Sequence, residues 1–220
     1  MFNIAKKLSY LVKSEISFLY FSHALRTFGG SMISVFIPIF LLDLGFSVIS
    51  VALFYLFQSL FIMFCVQFFI IFAAKKGAKK SMVVSTPILL LFFFMLFASD
   101  YLLAFLGFYP YLFLISLVGI VSSAFYWMGL HIDFSKVHTE NKAAKQISWL
   151  HALSIFFSIF GPLLGALLIS LYGFNITFLF VCFIFSLSLI PLLLTKDIHE
   201  PFVINIKNIF SKSQRNIGKR

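Results

Sequence analysis

The chain has 220 residues, of which 61% are hydrophobic and only 11% are charged. Because a soluble globular domain carries roughly 25% charged residues, this composition excludes that class and indicates an integral protein of the lipid bilayer. The basic excess, 17 Lys and Arg against 7 Asp and Glu, raises nucleic acid as a partner. The placement of these charges along the chain argues against nucleic-acid binding.

Six apolar stretches follow one another along the chain, and each is close to the roughly 20 residues that cross a bilayer as a helix. They predict an all-α, polytopic membrane helix bundle with spans at residues 16–42, 48–72, 81–98, 111–131, 147–171 and 176–194. A basic arm (residues 1–15) precedes the first span and a basic tail (residues 195–220) follows the sixth. The first apolar run is longer than the roughly 7–15 residues of a signal-peptide core, so we expect it to be retained.

Lysine and arginine occur in every second connection between these spans. Apart from Arg26, all of them lie in the arm, in the stretches 73–80 and 132–146, or in the tail, and the other connections contain none. Because basic loops face the cytoplasm under the positive-inside rule, both termini are predicted to be cytoplasmic. The positive charge is therefore interpreted as a topology signal of a multi-pass protein of the cell membrane.

The first span carries His23 and Arg26 near its middle. A charge at bilayer depth costs at least about 2.5–3.5 kcal/mol, so Arg26 must face protein or water rather than lipid. Polar or small residues recur at three- and four-residue steps on the same side of this helix, at Tyr20, His23, Thr27, Gly30 and Ser34. The first helix is therefore predicted to line a pathway. A structural Arg26 that reaches headgroups or a neighbouring carbonyl is the alternative.

The fourth and fifth spans also carry polar or small stripes, whereas the third and sixth are almost uniformly apolar and are expected to face lipid. Candidate wall residues of the pathway are Tyr126, Trp127 and His151. Small residues at helical spacing, among them Gly161 and Gly165, predict close helix packing. Pro162 is expected to bend the fifth helix.

A metal site is the other chemistry that the residues suggest. His131, Asp133 and His138 have the donor types of metal ligands, as in a membrane metalloenzyme. They stand where the fourth span leaves the membrane and no second cluster completes the set, so no metal is predicted. Cys65 and Cys182 lie in apolar spans as small hydrophobes, and no cofactor motif is present.

Two short motifs accompany this arrangement of spans. The stretch 73–80 reads AAKKGAKK, with Lys75, Gly77 and Lys79 between the second and third spans, and the fifth span contains a Gly-Pro-x-x-Gly motif that starts at Gly161. With six spans and cytoplasmic termini, this pattern resembles the amino-terminal half of a major facilitator superfamily transporter over about residues 16–194.

The resemblance implies two three-helix units in inverted orientation, with the first and fourth helices along a central path. It also implies a secondary active transporter that moves a small-molecule solute by alternating access and is not an enzyme. Arg26 and His23 would contact the solute or a proton, with Tyr20, Tyr126, Trp127 and His151 as cavity wall. His23 or His151 would serve any proton coupling, because an imidazole titrates near neutral pH.

A complete transporter of this kind has two six-helix halves, and the tail at residues 195–220 resembles the linker between them. The resemblance therefore implies a second six-helix half or a second copy of this chain as partner, unless the chain is a truncated product. The alternatives are a non-transporting membrane subunit, in which Arg26 ties helices together, and, less favoured, the metalloenzyme.

Overall fold

The computed structural model describes the backbone of residues 2–137 and 143–194 and the side chains of residues 16–135 and 144–194. All regular secondary structure in these residues is α-helical, which confirms the predicted class. The helices are α1 (Phe2–Ser34), α2 (Phe36–Asp43), α3 (Val48–Lys76), α4 (Ala78–Phe97), α5 (Ser99–Leu106), α6 (Phe108–Val137) and α7 (Ala143–Leu194). The tail and His138 lie outside the described residues.

Five helical stretches in the described part of the chain are long and apolar enough to cross a membrane. They are Ile16–Asp43, Val48–Lys76, Ala78–Phe97, Phe108–Ser135 and Ala144–Leu194. The protein is therefore an integral membrane protein, as its composition indicates. The last stretch has 51 residues, and a straight helix of that length would measure about 77 Å, more than twice the roughly 30 Å hydrocarbon core.

The length of α7 is explained by Gly173, where the backbone leaves the helical region with φ 77° and ψ 177°. These angles are essentially restricted to glycine, because a Cβ would clash with the backbone. Gly173 lies within the predicted turn at residues 172–175. It divides α7 into two arms, residues 143–172 and 174–194.

The first arm of α7 runs in the same direction as α1. The Tyr20 hydroxyl donates a hydrogen bond of 2.9 Å to the Gln146 carbonyl. Further along both segments, Gly165 packs directly against the Met32 backbone. Later residues of α1 therefore contact later residues of this arm.

The second arm of α7 runs in the opposite direction. The Ser22 hydroxyl donates a hydrogen bond of 2.7 Å to the Ser188 carbonyl. At the far end of the same span, the Phe40 ring centroid lies 5.0 Å from that of Phe178. The two arms are thus antiparallel, and the chain reverses at Gly173.

The helical hydrogen bonding of the first span is interrupted at Val35, although the backbone angles of this residue stay helical, with φ −72° and ψ −27°. α1 ends at Ser34 and α2 begins at Phe36. Pro38 explains this interruption, because it lacks the N–H that would bond to the Ser34 carbonyl and its ring clashes with that carbonyl.

Two stretches predicted as connections are largely helical. The basic stretch 73–80 reduces to a turn at Gly77 with φ 110°, since α3 runs to Lys76 and α4 starts at Ala78. The stretch 99–110 is mostly α5, and α6 starts at Phe108 rather than at residue 111. The backbone of the basic arm is also helical from Phe2. Charged residues mark where a chain leaves lipid, and a helix continues past that point because its hydrogen bonds are internal.

The third span, α4, exposes Val84, Leu91, Phe94 and Phe97 and also has many buried residues, and its contact with lipid stays a prediction. In its apolar window 44% of the residues are buried, against 11% in α3. α4 contributes Phe92, Phe93 and Leu96 to the largest hydrophobic cluster, together with Met32 and Phe178 of the neighbouring helices. An apolar sequence cannot distinguish the two environments, because lipid tails are as apolar as a packed leucine.

Candidate functional site

A cavity of about 530 Å³ opens between the spans. The first span and α6 contribute most of its polar wall, with two side chains each from α3 and α7. Its hydrogen-bonding and charged side chains are His23, Arg26, Thr27, Ser31, Ser34, Tyr55, Gln58, Ser123, Tyr126, Trp127, His151 and Ser154. Cavities of this size and mixed polarity are typical of small-molecule sites.

Arg26 of α1 lies in the wall of this cavity with only 8% of its surface exposed. Its Nη1 donates a hydrogen bond of 3.1 Å to Thr86 Oγ1 of α4. Its guanidinium carbon lies 3.9 Å from the centroid of the Tyr126 ring and 5.7 Å from that of Phe185. A guanidinium stacks well on an aromatic face, so the aromatic rings hold the charge in place while leaving its edge open.

His23 is almost completely buried, one turn before Arg26 on the same helix. Its Nδ1 lies 2.7 Å from the Tyr126 hydroxyl. Tyr126 donates this hydrogen bond when Nδ1 is unprotonated and accepts it when Nδ1 carries the proton. Tyr126 therefore connects the imidazole, through its hydroxyl, to the guanidinium over its ring face.

Trp127 and His131 continue the aromatic cluster beyond His23. The Trp127 ring meets His23 edge-on at 5.7 Å between centroids, and the His131 ring stacks on Trp127 at 5.8 Å. Trp127 lines the cavity and is 42% exposed.

Most predicted wall residues lie together, and Tyr20 lies apart. His151 is exposed and lines the cavity, and Gly30 lines it with no atom within 4 Å of an added Cβ. Tyr20 is not among the lining residues, because its hydroxyl bonds to the Gln146 carbonyl near the start of α7. It lies about 9 Å along the helix axis from Arg26, beyond the cavity.

Thr86 and Gln58 belong to the cavity region and were not predicted. Thr86 is fully buried and accepts the hydrogen bond from Arg26, while Gln58 of α3 lines the cavity wall. A polar residue next to Pro87 inside an apolar span was the available signal for Thr86. The absence of an ionisable group in that span favours a lipid-facing helix instead.

The glycines of the fifth span lie where α7 meets α1. A Cβ on Gly161 would stand 2.9 Å from the Met32 backbone nitrogen, and one on Gly165 would stand 2.9 Å from the Met32 carbonyl carbon. Such approaches require residues without a side chain. Pro162 lies between them inside the helical segment.

The residues of the basic motif occupy different environments around the α3–α4 turn. Lys75 is exposed in the last turn of α3, where the helix dipole stabilises a positive charge. Gly77 forms the turn, and Lys79 is buried in the first turn of α4. The motif is thus a helix-to-helix corner rather than an extended loop.

The three residues with the donor types of metal ligands, for which no metal is predicted, are only partly described. Asp133 is buried and His131 is exposed and stacked on Trp127, whereas His138 lies outside the described residues. Within the part of the chain that the structure describes, no group of three His, Cys, Asp or Glu side chains has the geometry to hold a metal ion.

Comparison of the sequence with known protein families identifies the family of this chain. The family model described as Major Facilitator Superfamily matches residues 19–208, which include every residue that lines the cavity. No curated protein matches the chain. Members of this superfamily are transporters rather than enzymes. The chain belongs to the major facilitator superfamily.

Proposed function

We propose that the described helices form one half of a secondary active transporter, which moves a small solute across the cell membrane by alternating access. The observation that carries this proposal is the cavity itself. It contains a buried guanidinium, an imidazole and several hydroxyl groups in the middle of helices that are apolar enough to span a bilayer. Ionisable groups at that depth are expensive and mark solute or ion paths.

In this proposal the chain makes six spans with both termini in the cytoplasm, as two inverted three-helix units. The antiparallel arms of α7 supply the fifth and sixth spans. The restriction of Lys and Arg to alternate connections supports the orientation. Replacing Cys65 and Cys182 by Ser and adding single cysteines in each connection would test it with a membrane-impermeant thiol reagent. A cysteine at the exposed Asp43 or Tyr109 is expected to be labelled from outside the cell, and one at the exposed Lys76 only from inside.

Alternating access requires two faces around the solute, so the proposal includes a second six-helix half, in the same polypeptide or in another copy of the chain. The low burial of α3, where 11% of the apolar window is covered, supports a partner along that helix. Cross-linking in native membranes through a cysteine at the exposed Phe64 would detect such a neighbour.

A structural role for Arg26 is the second candidate, and the hydrogen bond to Thr86 favours it because that bond ties α1 to α4. Uptake into proteoliposomes separates the two. Labelled benzoate, glucose and tetraethylammonium represent anionic, neutral and cationic solutes. If the protein is a transporter, uptake of at least one solute should exceed that of empty liposomes. This uptake should be lost in Arg26→Ala. It should be retained in the control Lys80→Gln, which removes an exposed cation outside the cavity. If the unaltered protein takes up none of these solutes and the Arg26→Ala variant unfolds more easily, Arg26 has the structural role.

A further inference from the structure

Among the residues that the structure describes, Arg26 has no counter-ion in the cavity. Among the described residues, the cavity lining contains no Asp or Glu side chain. The guanidinium has five N–H donors, and its one polar partner within the described part of the chain is the Thr86 hydroxyl. A buried cation without a paired anion is strongly disfavoured, so a negatively charged ligand would gain both the Coulomb attraction and the unused donors.

The aromatic contacts leave the planar edge of the guanidinium available. The Tyr126 ring covers one face at 3.9 Å, and a stacked ring does not occupy the in-plane N–H groups. Two parallel N–H groups match the two oxygens of a carboxylate, which is the arrangement that makes such pairs strong. Tyr126 is itself fixed by its hydrogen bond to His23, so the fork is held in one orientation.

The charge of the ligand is limited by the same cavity. Arg26 supplies one permanent positive charge, and His23 Nδ1 is engaged with the Tyr126 hydroxyl rather than facing the cavity alone. One negative charge would be neutralised by Arg26, whereas a second would stay uncompensated in a low-dielectric site. The cavity therefore favours a monoanion.

The apolar residues of the cavity wall indicate that the uncharged part of the ligand is apolar. Phe54, Leu89, Phe92, Phe93 and Phe185 line the cavity. Aromatic and aliphatic side chains gain from covering apolar surface, and about 530 Å³ accommodates a single ring with a carboxylate.

Building on the proposed transport function, we propose that this cavity binds a small organic monoanion, a carboxylate with an apolar or aromatic body, whose charge is held by Arg26.

Binding can be measured separately from transport on the full chain in nanodiscs. Trp127 lines the cavity, and the other tryptophan, Trp149, is exposed on α7. In a Trp149→Phe background, fluorescence therefore reports from Trp127. Benzoate is expected to bind at least tenfold more tightly than benzamide, benzylammonium or the dianion phthalate. Benzoate is also expected to raise the thermal midpoint, because a ligand of the native state stabilises it, whereas benzamide at the same concentration does not.

Variants test whether Arg26 is responsible. Arg26→Gln should weaken benzoate binding at least tenfold and remove the preference over benzamide. Arg26→Lys should recover part of the preference, since it keeps the charge without the fork. Lys80→Gln, at an exposed position outside the cavity, should leave benzoate affinity unchanged. If Arg26→Gln does not fold, the ligand series on the unaltered protein remains decisive.

Equal affinity for benzoate and benzamide, a preference for benzylammonium, or no benzoate-dependent signal and no thermal shift would each overturn this proposal. Benzoate binding without uptake of any solute would overturn transport and leave the anion site standing. Uptake of glucose or tetraethylammonium that benzoate does not change would support transport and overturn the anion site.

Discussion

The Arg26 guanidinium lies over the Tyr126 ring at 3.9 Å, while the hydroxyl of the same tyrosine lies 2.7 Å from His23 Nδ1. One side chain of α6 thus holds two polar groups of α1 at membrane depth. The ring face stabilises the cation and the hydroxyl satisfies the imidazole. This division of roles allows the two contributions to be removed one at a time.

Tyr126→Phe removes the hydroxyl and keeps the ring. We expect the free energy of unfolding to fall by about 1–2 kcal/mol, because the buried His23 Nδ1 loses its partner. Tyr126→Leu removes the ring as well, and the loss should reach about 3 kcal/mol or more, since the cation loses its aromatic face and a cavity forms. Unfolding in mixed detergent and SDS micelles measures both.

Tyr55→Phe is the matched control, because Tyr55 lines the same cavity and is 40% exposed. Its loss should be within about 0.5 kcal/mol. Equal effects of Tyr126→Phe and Tyr55→Phe would contradict the importance of the His23 contact.

The position of the polar side chains in the cavity could be predicted from the sequence, because a polar side chain in an apolar helix has few places to lie. His23 and Arg26 on one helix and Tyr126 on another were recognised in this way, and the structure brings them within contact. The polar stripe on α1 predicts a longer cavity than the structure contains, however. It runs the full length of the span, whereas the cavity occupies part of it, so Tyr20 shares the face and bonds elsewhere.

Partners from different helices were harder to predict. The contact of Arg26 with Thr86 joins residues that are 60 positions apart, and such a pairing leaves no periodic pattern in either helix. The burial of α4 was missed for a related reason, since packing against protein and packing against lipid select the same apolar residues. Pro38, by contrast, is a local signal for the interruption at Val35, because a proline has no N–H to bond to the Ser34 carbonyl.

Gly30 and Gly165 lie in opposite steric environments, and the same substitution should act in opposite directions. Gly30→Ala adds a Cβ that meets no atom within 4 Å, so it should stabilise the helix by about 0.5–1 kcal/mol. Gly165→Ala places a Cβ against the Met32 backbone and should destabilise by about 1–3 kcal/mol or more, because the helices must separate. Thermal unfolding of both variants in detergent measures the difference. The same sign for both would contradict the packing of α7 on α1.

Gly173→Ala tests the reversal inside α7. Its φ of 77° with ψ of 177° is costly for any residue with a Cβ. We expect a loss of about 1–3 kcal/mol in the free energy of unfolding. Ser170→Ala, at an exposed position of the first arm with only a local hydrogen bond to the Leu167 carbonyl, should change it by less than about 0.5 kcal/mol. An unchanged stability of Gly173→Ala would mean that the two arms do not depend on this backbone conformation.

Substitutions at Gly129 and Ser122 test what holds α6 against α4. Gly129 allows a close approach of the two backbones, whereas Ser122 forms a hydrogen bond between the helices. A Cβ on Gly129 would lie 2.7 Å from the Ala78 carbonyl oxygen and 3.1 Å from the Met82 nitrogen. The Ser122 hydroxyl donates a hydrogen bond of 2.8 Å to the Ser85 carbonyl. A hydrogen bond between membrane helices contributes about 0.6 kcal/mol on average, so Ser122→Ala should cost about that much. Gly129→Ala should cost about 1–3 kcal/mol, because rigid backbone atoms must move. Unfolding in mixed micelles measures both, and a larger effect of Ser122→Ala would show that the hydroxyl, rather than the close approach, fixes α4 where Thr86 reaches Arg26.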